Sequence, residues 1–314
     1  IADGKLHRFN LQDDTKQSGW YVCFQNHTRS GDLFHLVICS DWRSHEQPKK
    51  FHTLKGKLSK EDKDFIEKNT NAAMRKVEED KKKHHEEVAE KVQRKWDSLS
   101  ETGTSDYLIR KQIADADLGI RFDNFNGDIY APIRDENGKL WSVETIKPSG
   151  YKSSYPGGRK QGCFHIIGGG LQGSRWYFAE GLSTSSSIHI ATGYPVVCAY
   201  GAHNLKRVVT TLRKLLPEGQ FIIVGDRSRV GSNSSEAIAE QAAKAGACDL
   251  IFPIFRSNEA GQFLDDPEKV PTDANDVHCL YGIDELKRQL VTPSISIAEQ
   301  QFSLDEVINL PYPD

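Results

Sequence analysis

A single rhythm constrains this chain more than any other feature. From Arg175 to Phe255, short apolar runs alternate with stretches of helical period. RWYFA reads as a strand ending at Glu180, and STSSSIHIATG as a helix opened by hydroxyl caps and closed by Gly193. PVVCAY is the next strand, and HNLKRVVTTLRKLLP is an amphipathic helix stopped by Pro217. QFIIVG then leads to Asp226, SSEAIAEQAAKAG is a helix with Gly246 at its exit, and DLIFPIF is a fourth strand. Strands too apolar to alternate, separated by helices, predict a parallel sheet with right-handed crossovers. The predicted class is α/β, with this sheet and its flanking helices spanning residues 173–290.

The remaining residues follow other patterns. Residues 1–58 alternate aromatic and polar positions (GWYVCFQN, DLFHLVICSDW), which predicts a small antiparallel β unit. Ser59 and Asp62 form a capping-box signature for a long charged helix running to about Leu99, and 59–116 is read as that helix with a helical linker. Phe65, Ile66, Ala73, Val77, Val88, Val92 and Trp96 give it a thin apolar stripe. Adjacent helical positions point about 100° apart, so His84 and His85 read as solvent-facing rather than as a metal pair. Residues 117–172 predict a β subdomain: GDIYAPIRDENGKLWSVETI is a hairpin turning at Glu136, Asn137 and Gly138. A Gly-rich loop follows with Lys147, Lys152, Arg159 and Lys160, a cation density suited to a phosphate backbone and equally to a solvated hairpin. Residues 291–314 are read as a C-terminal tail.

With 314 residues the chain is long enough for two or three such units. Hydrophobic content of 37% and charged content of 27% describe a soluble globular protein, and no apolar run reaches the roughly 18 residues of a membrane span. The first residue is Ile1 and IADGKLHRF lacks the apolar core of a signal peptide, so a trimmed fragment with missing neighbours is expected. The six cysteines are too dispersed for a zinc ribbon or redox pair, which implies a reducing, cytoplasmic setting. A net charge of −3 confines any nucleic-acid contact to local patches.

Ligands of an open parallel sheet bind beyond the carboxyl ends of its strands, where Glu180 and Asp226 fall. Gly181 permits a tight turn and a close backbone approach, and a hydroxyl-rich helix start follows. Acids in that setting suit Mg²⁺ and a phosphate, since Mg²⁺ binds through a few carboxylates and substrate phosphates. Acids also cap strand ends and helix starts, so spacing alone leaves both readings open.

Several motifs in order carry a resemblance: WSVETIKPSGYKSSYPGGRKQGCFHIIGG, AEG at Ala179–Gly181, TGYPVVCAYGAHNL, FIIVGDRS and TDANDV at Thr272–Val277, with ADGKLHRF, GWYV and YLIRKQI more loosely upstream. Together they resemble the Toprim-containing primases of phages and conjugative plasmids. The resemblance implies Mg²⁺- or Mn²⁺-dependent synthesis of short RNA primers from nucleoside triphosphates on single-stranded DNA. A replicative helicase is the candidate partner. It makes Glu180 the Toprim glutamate and Asp226 the first acid of an Asp-x-Asp pair, with Asp273 and Asp276 as further candidate metal ligands. Lys111, Arg121, Lys147, Lys152, Arg159, Lys160, Arg227 and Arg229 become candidate contacts to nucleic-acid or nucleotide phosphates. Two departures stand out: Ser228 replaces the second acid of the pair, and these 314 residues hold no zinc ribbon of the kind common upstream in related primases, which leaves open whether one precedes them. The rival readings are a Toprim nuclease using the same acids, and a non-catalytic module that binds nucleic acid or a partner.

Overall fold

A computed structural model describes residues 2–11, 17–28, 31–41, 48–54, 60–170, 172–228, 234–255 and 270–291. Arg229, the Ser59 cap and the 292–314 tail lie outside them. The chain divides into two compact units, Ile1–His84 and His85–Asp314.

The first unit is an antiparallel sheet in the order β1 (Leu6–Phe9), β2 (Gly19–His27), β3 (Leu33–Asp41), β4 (Lys49–His52). The register sets Val22 opposite Ile38 and Phe24 opposite Leu36. Side chains alternate across a pleat, so one face collects Trp20, Val22, Phe34, Leu36 and Ile38. The first half of helix α1 (Lys60–Asp97) covers that face with Phe65, Ile66, Met74 and Val77.

In the second unit the last turns of α1 bury Val88, Val92 and Trp96 against Tyr130, Leu140 and Val143. A short helix α2 (Asp106–Arg110) leads to a second antiparallel sheet: β5 (Arg121–Asp123), β6 (Asp128–Arg134), β7 (Leu140–Ile146) and β8 (Lys152–Ser154). The expected hairpin is β6–β7. Gly138 sits in its turn at φ +81°, a conformation open to glycine at little cost.

Chain positions 165–251 build the five-stranded sheet, in the order β13 (Asp249–Ile251), β12 (Gln220–Val224), β10 (Arg175–Ala179), β11 (Val196–Cys198), β9 (His165–Ile167). The strands β10 to β13 run parallel, and β9 adds an antiparallel edge supplied by the end of the Gly-rich segment. Helices α4 (Ala202–Leu215) and α5 (Ser234–Gly246) cover one face, packing on Trp176, Phe178, Phe221 and Ile223. Helices α3 (Leu182–Thr192), α6 (Ala274–Tyr281) and α7 (Ile283–Val291) cover the other, on Tyr177, Ala179, Ile222 and Val224.

Three local expectations are corrected. The fourth strand is only three residues long, and Phe252–Phe255 leave the sheet before the proline at 253 removes a ladder donor. Helix α3 has no hydroxyl cap: its N-cap is Gly181, and Ser183 to Ser187 lie buried inside the helix. Gly181 itself is extended (φ −122°, ψ 161°), so the turn there does not depend on glycine's left-handed freedom.

Candidate active site at the switch point of the parallel sheet

The chain leaves β10 towards β11 on one side and leaves β12 towards β13 on the other, so the crossovers diverge between neighbouring strands β10 and β12. That divergence opens the crevice where α/β sheets take ligands. Glu180 follows β10 directly and Asp226 lies two residues beyond β12, so both acids stand at the same rim of the crevice.

Neither carboxyl is at ease there. Glu180 Oε1 and Asp226 Oδ1 are buried without a hydrogen-bond partner. Burial pushes Glu180 up to about 7; the Ala202 backbone N–H at the start of α4 opposes this and the charge of Asp273 adds to it. Asp226 rises to about 8, through burial first and then through Glu180, Asp273 and Asp276, with Lys152 pulling the other way. Buried like charges disfavour ionisation, so each acid depends on a cation that the protein only partly provides.

Asp273 and Asp276 reach this group from the opposite helix layer while serving a second role. Asp273 is the N-cap of α6: its Oδ1 accepts from the Asp276 N–H at 2.9 Å, and Asp276 Oδ2 accepts from the N–H groups of Thr272 at 2.8 Å and Asp273 at 3.2 Å. This reciprocal capping box holds the loop against the sheet rim. Burial and Asp276 raise Asp273, while Lys111 and the Thr184 hydroxyl from α3 lower it. Lys111 Nζ lies 3.7 Å from Asp276 Oδ1.

The candidate cations separate into groups. Lys152, on β8, points at the crevice: a Cβ on Gly181 would lie 3.8 Å from its Nζ. Burial lowers its pKa, but Tyr107 and Glu144 outweigh that and the net direction is up. Lys160 reaches Glu144 at 3.9 Å and lies over the Tyr200 ring. Arg159 stacks on Trp141, and Lys147 lies over Tyr151. Arg121 and Arg227 are engaged in structure. Arg121 donates to Trp96 O at 2.7 Å and pairs with Glu101; Arg227 donates to Pro253 O at 3.0 Å and pairs with Glu236.

Sequence reasoning passed over three side chains that shape this site. Glu144 is buried in β7 and sits behind Lys152 and Lys160; the lone charge in the run LWSVETI was the available signal. Asn204 on α4 ties down the end of the Gly-rich loop, accepting from Gly162 N–H at 2.7 Å and donating to Cys163 O at 2.8 Å and Ala199 O at 2.9 Å. Asn275 donates to Lys111 O at 2.8 Å and Ser187 Oγ at 2.9 Å, pinning α6 to α2 and α3. Nothing local in the sequence signals contacts across 41 to 164 residues.

Among the described residues no three His, Cys, Asp or Glu side chains already converge as a ligand set. The residues nonetheless fit a hard divalent cation. Two orphaned carboxylate oxygens at one rim match Mg²⁺, which takes one or two carboxylates and fills its remaining positions with water and phosphate.

Comparison with known proteins places a family match on this sheet. Residues 175–284 match the Toprim domain family. A DNA primase TraC from Escherichia coli is 28% identical over 272 residues, covering 82% of this chain and 25% of that protein. Another Escherichia coli DNA primase TraC is 30% identical over 276 residues, covering 82% of this chain and 18% of that protein. The chain thus spans a quarter or less of the length of these relatives. Among solved structures, the primase fragment of the bacteriophage T7 primase-helicase protein shares 20% identity, covering 56% of this chain and 67% of that one at a TM-score of 0.40. Residues 175–284 thus match a Toprim domain, within a chain similar to DNA primases TraC over 82% of its length.

Proposed function

We propose that residues 85–291 contain the catalytic core of a DNA primase, joining nucleoside triphosphates into short RNA primers on single-stranded DNA. The observation that carries this reading is the pair of carboxylate oxygens, Glu180 Oε1 and Asp226 Oδ1, buried without a hydrogen-bond partner at the switch point of a Toprim domain, with Lys152 close to Gly181. Glu180 and Asp226 would hold Mg²⁺ or Mn²⁺, with Asp273 and Asp276 adding negative charge from the capping box. When bound, the cation supplies charge neutralisation at the triphosphate and at the attacking oxygen.

The protein's own groups divide the remaining work. Glu180, raised towards neutral pH, is suited to accept a proton from an attacking hydroxyl and to release it again. Lys152 binds a phosphate at the Gly181 turn, and Glu144 keeps that ammonium charged. Lys111 offsets the acids of the α6 cap. Lys160 and Arg159 extend the positive surface along the Gly-rich loop. The setting is the cytoplasm during replication of a mobile element, with a replicative helicase as partner.

Ser228 favours a second reading, a Toprim module that binds without catalysis. Where a second acid would add charge, its hydroxyl instead accepts from the Glu236 N–H at 3.3 Å. One experiment separates the readings: the chain is incubated with labelled ribonucleotides, Mg²⁺ and single-stranded DNA. New short oligomers are expected, and Glu180→Gln should abolish them with the circular dichroism spectrum unchanged. Shortened DNA would indicate a nuclease, and neither product a binding module. Synthesis at the unaltered rate in Glu180→Gln would end the catalytic assignment.

A further inference from the structure

One end of the β5–β8 sheet carries apolar side chains that packing does not explain. The β5–β6 turn at 124–127 and the β7–β8 turn at 147–151 lie side by side, since Ile129 pairs with Ile146 and a Cβ on Gly127 would lie 3.2 Å from Pro148. Phe125 is 99% exposed on the first turn and Tyr151 is 64% exposed on the second. A phenyl ring held out in water forgoes its burial energy, and two on adjacent tips offer apolar faces to a ligand.

Both tips are rigid. The second is closed by Gly150 N–H to Lys147 O at 2.8 Å and Lys147 N–H to Tyr151 O at 3.0 Å, and Arg110 donates across to Pro148 O at 2.7 Å. In the first, Gly127 N–H donates to Asp123 O at 2.9 Å. Cations flank the Tyr151 ring: Lys147 Nζ is 5.9 Å from its centroid, and Lys152 is the next residue along the chain. Lys152 in turn faces the carboxylate crevice.

The geometry points to a stacking ridge for unpaired nucleobases, in which Phe125 and Tyr151 receive bases while Lys147 attracts an adjoining phosphate, leading a single strand to the Lys152 side of the crevice. Aromatic faces held rigidly beside cations are what a sequence-tolerant single-strand site requires. The inference rests on the primase reading for the direction of the strand but not for the binding itself.

The test is oligonucleotide binding by fluorescence anisotropy, in EDTA, with the whole chain. Phe125→Ala and Tyr151→Ala should each weaken binding of oligo-dT about tenfold with little change in salt slope. Tyr151→Phe should restore it, and Lys147→Ala should reduce the slope. An abasic oligonucleotide of equal length should bind the unaltered protein as weakly as oligo-dT binds the Phe125→Ala, Tyr151→Ala double variant. Ribo- and deoxyribo-oligomers compared in parallel distinguish primer from template as the stacked strand. Abasic and oligo-dT strands bound equally, or no effect of the double variant, overturns the ridge. Unaltered protein that shows this base-dependent binding but makes no primers counts against the catalytic reading alone and leaves the ridge standing.

Discussion

The two units solve sheet burial differently, and the difference fixes where chemistry can occur. The N-terminal sheet covers one face, so its strands alternate: Trp20 and Val22 point to the core while Tyr21 and Cys23 remain half exposed. In such a sheet a charge can always be turned towards water. The five-stranded sheet is covered on both faces, and RWYFA and QFIIV are apolar at nearly every position. Charged groups there are confined to strand ends, and the same helices that cover the faces desolvate those ends. Glu180 and Asp226 are therefore raised by burial before any neighbouring charge acts.

The largest expected effects test the two-sided arrangement directly. Adjacent substitutions Tyr177→Ala and Phe178→Ala, which empty opposite faces, should each cost about 3–5 kcal/mol of unfolding free energy in urea. In the N-terminal sheet Phe34→Ala should cost a similar amount, whereas the outward-facing Val37→Ala should cost under about 1 kcal/mol. A Val37 cost equal to that of Phe34 would mean that the outer face is covered as well.

A smaller effect follows from the raised acids. The folded protein holds protons on Glu180 and Asp226 that the unfolded chain releases near pH 4. Without a divalent cation that contribution to stability is complete below about pH 4 and is lost as pH rises through about 7 and 8. Thermal melts in EDTA should thus fall from pH 5 towards pH 8.5. Mg²⁺ should raise the melting temperature most at the alkaline end, where the carboxylates are ionised. Combining Glu180→Gln with Asp226→Asn should flatten both trends; a melting curve that keeps its pH slope in the double variant places the titration elsewhere.

The order of strands and helices from 175 to 251 was legible because a doubly covered sheet writes itself as repeated apolar runs. The rim position of Glu180 and Asp226 followed from the same rhythm. What stayed hidden depends on long-range pairing. Arg121 and Arg227 look like phosphate ligands in sequence, and only their bonds to Trp96 O and Pro253 O show them holding structure. The edge strand β9 was invisible because HII takes its pairing from Val196–Cys198. This sorting of cations is itself testable. Lys152→Ala should lower the salt dependence of single-strand binding by about 0.7 in log–log slope with little loss of stability, whereas Arg227→Ala should do the reverse. Equal slope changes would mean that Arg227 exchanges its protein partners for phosphate.

The smallest expected effect concerns Ser228. Its hydroxyl accepts from Glu236 N–H in the first turn of α5, and Arg227 pairs with Glu236 beside it. An aspartate at 228 keeps an acceptor for that N–H and adds negative charge at a helix start, where charge is favoured by about 0.3–1 kcal/mol. Ser228→Asp should therefore fold normally, and any change in metal affinity reports the added carboxylate rather than damage. If the crevice holds a catalytic cation, the second oxygen supplies the charge that the serine lacks. Mg²⁺ should then bind several-fold more tightly in calorimetry, with a matching rise in primer synthesis at limiting Mg²⁺. Without a cation, the extra acid should push Asp226 higher still and steepen the loss of stability with rising pH. A variant with unaltered Mg²⁺ affinity but weaker oligonucleotide binding would show residue 228 facing phosphate instead of metal, and would turn the site towards the non-catalytic reading.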